Sequence, residues 1–112
     1  MSAYTEINLE YGMPTVSDAM DHLKFAIERC RREKYKCLLI IHGYGSSGKG
    51  GAICEKSRQW LVAQKRNGKV KEVIFGENFE IFNFTALALK NKYHELERQI
   101  SGNNHGVTIV EL

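Results

Sequence analysis

The residue types best suited to chemistry stand together in one run, IIHGYGSSGKGG, from Ile40 to Gly51. Gly43, Gly45 and Gly48 let backbone N–H groups approach an oxyanion with no Cβ in the way. Ser46 and Ser47 add hydroxyl donors, and Lys49 adds a cation. If a helix begins here, its N-terminus favours negative charge as well. With Tyr44 included, Gly43 to Lys49 form a candidate loop for a phosphate, whether that phosphate belongs to a nucleotide or to a nucleic-acid backbone. His42 places a titratable ring at the loop entrance, where it serves either as a proton acceptor or as a structural hydrogen-bonder.

The eight residues GYGSSGKG nearly spell the nucleotide-binding pattern G-x-x-x-x-G-K-[ST], but Gly50 stands where a hydroxyl should ligate Mg²⁺. The acid that ends an apolar run, Glu111, falls in the last strand, and a chain of 112 residues is short for a nucleotide hydrolase. ATP hydrolysis is therefore rejected. A strand-to-helix connection that merely needs glycines to turn is the plainer alternative.

Such a loop needs a strand before it and a helix after it, and the pattern supplies both. CLLII (Cys37 to Ile41) is apolar without alternation, as in a strand covered on both faces. A helix from about 51 to 66 follows, with Ile53, Trp60 and Leu61 inward and Asn67-Gly68 as its stop. Upstream, TEINL alternates as a strand with Ile7 and Leu9 on one face. Thr15 and Asp18 resemble a capping box for a helix of about 16 to 34, striped by Val16, Met20, Leu23, Ile27 and Cys30. Downstream lie a strand VKEVIF, a helix of about 85 to 99 with Leu87, Leu89, Tyr93, Leu96 and Ile100, and a closing strand VTIVEL. The Phe-rich segment GENFEIFNF packs on the body or, alternatively, offers rings for stacking bases. The order β-α-β-α-β-(α)-β predicts one α/β domain over 1–112, a four-stranded mixed sheet with helices packed on it.

Composition fits an ordinary globular domain, with 43% hydrophobic and 26% charged residues. No apolar run reaches a membrane span and no signal peptide opens the chain, so a cytoplasmic protein is expected. Cys30, Cys37 and Cys54 fall in apolar patterns, as buried free thiols do. No Cys or His pair has the spacing of a metal site, and no cofactor is expected. The net charge is only +3, yet the cations are crowded. Arg29, Arg31, Arg32, Lys34 and Lys36 fill one segment. Lys49, Lys56, Arg58, Lys65, Arg66, Lys69 and Lys71 fill another, in which Glu55 is the one acid. They are either solvated helix faces or an electrostatic footprint for phosphate backbones.

The run IIHGYGSSGKGG resembles the H-G-x-G-x-G signature of the small MutS-related (Smr) domain family. INLEYG stands where that family has L-D-L-H-G, and HGVTIVEL resembles its closing G-x-x-x-V-x-L strand. The resemblance spans the chain apart from about 76 to 104. It implies a two-layer α/β fold like the C-terminal domain of translation initiation factor three. It further implies DNA or RNA binding and, in many members, endonuclease activity, some of it at stalled ribosomes. The acidic residue and histidine of the first motif are implicated in cleavage. Here Asn8 replaces the acid, Glu10-Tyr11 stand where the histidine is expected, and the glycine loop carries one extra residue.

Glu10 lies two positions along the strand from Asn8, on the same face, and can take over the carboxylate's role. With RNA, Glu10 or His42 would remove the 2′-OH proton, while Lys49 and the loop N–H groups stabilise charge on phosphorus. The expected partner is nucleic acid, with the ribosome as a further candidate. The alternative is a non-catalytic module that docks on the ribosome or another protein.

Overall fold

The computed structural model describes residues 4–12, 14–43, 49–78, 84–93 and 105–112. Its elements run β1 (Tyr4–Asn8), α1 (Val16–Arg32), β2 (Cys37–Ile41), α2 (Lys49–Arg66), β3 (Glu72–Phe75), a 3-10 turn (Gly76–Asn78), α3 (Phe84–Lys92) and β4 (Val107–Glu111). The strands form one mixed sheet in the order β1-β2-β4-β3. β1 and β2 are parallel, while β4 is antiparallel to both β2 and β3. The fold is that expected from the sequence: α+β, with a four-stranded mixed sheet and helices packed against it.

Side-chain alternation assigns the two faces of the sheet. Leu38 and Ile40 of β2 and Val110 of β4 join Leu23, Ala26, Ile27 and Cys30 of α1 and Ile53 and Leu61 of α2 in one core. Cys37, Leu39 and Ile109 point the other way, onto Ala86 and Leu89 of α3. Both central strands are thus covered on both faces, which is why CLLII carries no polar alternation. Cys30 and Cys37 are buried free thiols, and burial pushes the Cys37 thiol up to about 12. Cys54, expected to be buried, is half-buried.

Each helix begins or ends on a signal written locally. The Thr15 hydroxyl accepts the Asp18 N–H at 3.1 Å and caps α1. α2 stops ahead of Gly68, whose φ of +74° suits glycine. The Lys69 N–H bonds Gln64 O and the Gly68 N–H bonds Lys65 O, closing the last turn as a Schellman motif. α1 ends in the same way, Tyr35 N–H to Cys30 O and Lys34 N–H to Arg31 O, but with Lys34 in the left-handed conformation at φ 64°.

Two expectations are corrected. α3 is described as Phe84–Lys92, and the part of the expected helix from 94 to 99 lies outside the described residues. Its buried positions are Ala86 and Leu89, with Leu87, expected inward, 37% exposed. Leu87 follows Ala86 by about 100° around the helix, so the two cannot share one narrow face. The sheet takes the side with the smaller residue. β3 spans Glu72–Phe75, two residues later than expected, with Val70 buried ahead of it. Leu96, Ile100 and most of the Phe-rich segment lie outside the described residues.

Candidate functional site

β1 and β2 end side by side, and the candidate residues gather at those ends. Asn8 pairs with Ile41 in the parallel ladder, and the Leu9 N–H bonds Ile41 O just beyond it. The Asn8 side chain then turns back, its amide oxygen accepting the Glu10 N–H at 2.8 Å. That bond shapes the turn leaving β1 and carries Glu10 across to β2. The Glu10 carboxyl group ends against Gly43, so close that any Cβ on residue 43 would collide with it. Gly43 also has a φ of +69°, a second demand that only glycine meets without strain. Glu10 and Gly43, 33 positions apart in sequence, are thereby brought together.

His42 follows Leu38 and Ile40 on the face of β2 covered by α1 and α2 and is 0% exposed. Its Nδ1 lies 2.6 Å from Gly43 O, and since a carbonyl only accepts, Nδ1 carries the proton. Nε2 is then left as an acceptor, 2.7 Å from the Thr108 hydroxyl. Thr108 donates there and accepts from Arg58 Nε at 3.0 Å. Burial lowers the His42 pKa to about 4, the Arg58 charge adds to this, and the Gly43 carbonyl and Glu77 oppose it. At neutral pH the ring is neutral with both nitrogens engaged.

Arg58, read from the sequence as part of a basic footprint, is instead the hub of this region. Its guanidinium makes a two-bond pair with Glu77, at 2.7 and 2.8 Å, and donates to Val107 O at 3.0 Å. It also lies over the Phe75 ring, 4.2 Å from the centroid. Glu77 is approached by His105 as well, at 3.5 Å. Arg58 holds the Glu77 carboxyl below its usual range, although burial alone would raise it. Thus α2, β4 and the turn after β3 are tied to the residue that opens the glycine loop. Sequence pattern could not find this network, because an Arg in a basic stretch looks solvated until the fold shows what it faces. A polar Thr in the apolar strand VTIVEL was the available signal.

Tyr44, Gly45, Ser46, Ser47 and Gly48 lie outside the described residues. Lys49 and Gly50 open α2, two residues earlier than expected. Tyr11, next to Glu10, is 88% exposed. Among the described residues no group of His, Cys, Asp and Glu could hold a metal ion. No described helix is long and apolar enough to cross a membrane.

The sequence model of the Smr domain matches residues 11–78. The crystal structure of the Smr domain of Thermus thermophilus MutS2 superposes with a TM-score of 0.60 at 24% identity. That match covers 96% of this chain and 96% of the other, and it shows the shared fold. No curated protein sequence matches the chain. The family match takes in more than half of the chain, including the glycine loop, α2 and the Arg58–Glu77 pair. The chain belongs to the Smr domain family, whose members are nucleic-acid-related domains.

Proposed function

We propose that the glycine-loop end binds the phosphate backbone of nucleic acid in the cytoplasm, and that Glu10 acts as general base when the strand is RNA. The observation that carries the reading is the Glu10 carboxyl resting against Gly43, where the loop leaves β2. A phosphate held by the loop N–H groups, Lys49 and the α2 N-terminus would meet that carboxylate at once. Glu10 takes the 2′-OH proton, the 2′-oxygen bonds to phosphorus, and the bond from phosphorus to the 5′-oxygen breaks. The leaving oxygen is protonated by Glu10 or water, giving a 2′,3′-cyclic phosphate and a 5′-hydroxyl. His42, engaged at both nitrogens, sets the loop's first turn rather than moving a proton. Tyr11 presents its exposed ring to a base beside the reacting phosphate.

The test is incubation with end-labelled RNA and DNA, with and without EDTA. Lys49→Ala should lower affinity about tenfold, as expected for losing one charge-assisted hydrogen bond, with near-normal melting. Glu10→Gln should bind RNA and leave it intact. RNA cleavage by Glu10→Gln at the wild-type rate would overturn the assignment.

A second reading has its own support: a module that docks on RNA, the ribosome or a protein without cutting. Asn8 stands where the family has an acid and spends its side chain on the Glu10 N–H. Glu10 therefore has no second carboxylate from that position, and the His42 lone pair is occupied. Full binding with intact RNA would favour this reading.

A further inference from the structure

Apart from Lys49, Lys56 and Arg58, the cations of the two crowded basic segments do not lie at the glycine loop. Both helices start at the loop end of the sheet and run away from it, and the cations cluster where they stop. α1 has 17 residues, so its last turn lies roughly 20 Å from its first. Arg29, Arg31, Arg32, Lys34 and Lys36 end that helix and its turn, while Lys65, Arg66, Lys69 and Lys71 end α2. Arg31 donates to Lys69 O, which joins the two groups into one pole. Ten cations there, counting Lys92 on Glu111, face four acids, Glu28, Glu33, Glu72 and Glu111, leaving a net +6 in a chain of net +3. The rest of the molecule, glycine loop included, is therefore net −3.

Cations in a last turn also complement the helix dipole, and Lys65 is paired with Glu72. Dipoles do not account for Lys36 and Lys69, which lie outside the helices. Among the described residues, no side-chain hydrogen bond or ion pair engages Arg32, Lys34, Lys36, Arg66 or Lys69. A groove of about 530 Å³ runs along α2 between the two ends, from Gly51 past Val62 and Phe75 to Arg66. At ~1.5 Å per residue those helix positions span roughly 22 Å, about six stacked nucleotides at ~3.4 Å each.

We propose that the helix C-terminal pole is a second phosphate-backbone contact, reached by a single strand that leaves the glycine loop along the α2 groove. The ligand class is single-stranded nucleic acid. An anionic membrane surface fits less well, because among the described residues Val62 alone of the large exposed apolar side chains borders this pole. The inference rests on the nucleic-acid reading above, but its test separates the two.

The experiment measures binding of fluorescent 20-nucleotide and 4-nucleotide single strands across a salt series. Proteins compared are wild type, Lys49→Ala, a Lys36→Gln/Lys69→Gln pair, and a quadruple variant adding Arg32→Gln and Arg66→Gln. Each lost phosphate contact should remove about 0.7 from the log–log salt slope. The quadruple variant should bind the 20-mer at least tenfold more weakly, with a slope lower by about 2 to 3. The pair, which touches no helix, should lose about half of that slope. Binding of the 4-mer should respond to Lys49→Ala and hardly to the pole variants. Unchanged 20-mer affinity and slope in both folded pole variants would overturn the proposal while leaving the loop reading intact. So would pole variants that lose binding only to phosphatidylserine vesicles. Loss at the pole with no effect of Lys49→Ala would sustain the pole and overturn the loop.

Discussion

The two ends of the sheet use charge in opposite ways. At the loop end Arg58 spends its guanidinium on Glu77, Thr108 and Val107, and the His42 ring is closed off between Thr108 and Gly43. At the far end, five cations have no such side-chain partner among the described residues. Charge at the first end is structural and locks the strands in place. Charge at the second faces water and is free to meet a ligand. Counting Lys and Arg along the sequence cannot separate these roles, since both ends contribute to the same basic stretch.

The sharpest break of this comparison is Arg58→Ala. Removing one partner of a mostly buried ion pair should cost about 3 kcal/mol or more, seen as a lower midpoint in chemical denaturation. Arg66→Ala, on the same helix, should change stability by less than about 0.5 kcal/mol. Equal effects would abolish the distinction between structural and idle charge.

Acid should act first on the loop end. At the far end Glu111, whose carboxyl group Lys92 and Tyr93 hold below its usual range although burial alone would raise it, titrates only later. The folded pKa of His42, about 4, lies below its ordinary value of 6.5. The unfolded chain therefore takes up the proton first. Stability from His42 is fully present above pH 6.5 and is lost as pH falls from there to about 4. The loss integrates to about 3 kcal/mol at ~1.36 kcal/mol per unit. Glu77, whose pKa is lowered, adds a further loss below its usual titration range. His42→Gln should flatten the fall between pH 6.5 and 4, and an unchanged profile would show that another group titrates.

Gly43→Ala should cost about 1 to 2 kcal/mol, chiefly through a left-handed backbone, with a smaller share for moving the Glu10 carboxyl group aside. Part of that cost belongs to the carboxyl group, so Glu10→Ala in the same chain should return some of it. A double-mutant cycle measures the coupling, and strict additivity would mean that the two residues do not touch in solution.

The smallest effect runs the other way. Lys34→Gly at the C-terminal turn of α1 should stabilise the chain by up to about 1 kcal/mol, because glycine takes φ 64° freely. The same variant removes one of the five idle cations, so stability should rise while nucleic-acid affinity falls. Both moving together would mean that Lys34 serves folding rather than binding.

Much of the fold was legible because its signals are local. Thr15 and Asp18, the apolar run CLLII and the stop at Gly68 each act within a few residues, and each appears where expected. The fate of Leu87 was not legible, since neighbouring residues give a helix no preference between faces until the sheet chooses one. The site was half legible. Glycines before a helix announced a loop for an anion, but its supports did not announce themselves. Glu10 meets Gly43 through a parallel strand pair, and Arg58 meets Thr108 across 50 positions. Such meetings are properties of topology, and a one-dimensional pattern does not contain them.

Strand order also dictates when the sheet can exist during synthesis. β4 is made last, yet it lies between β2 and β3 and supplies both with their antiparallel partner. Until Val107–Glu111 has left the ribosome, β2 has one open edge and β3 has two. The buried His42 ring likewise waits for Thr108. The emerging chain can pair β1 with β2 through α1, but the loop end and the α2 groove cannot close before β4 arrives. A nascent chain held a few residues short of β4 should thus expose apolar strand edges to chaperones. Release of the final strand would then complete the core and the candidate site in a single step.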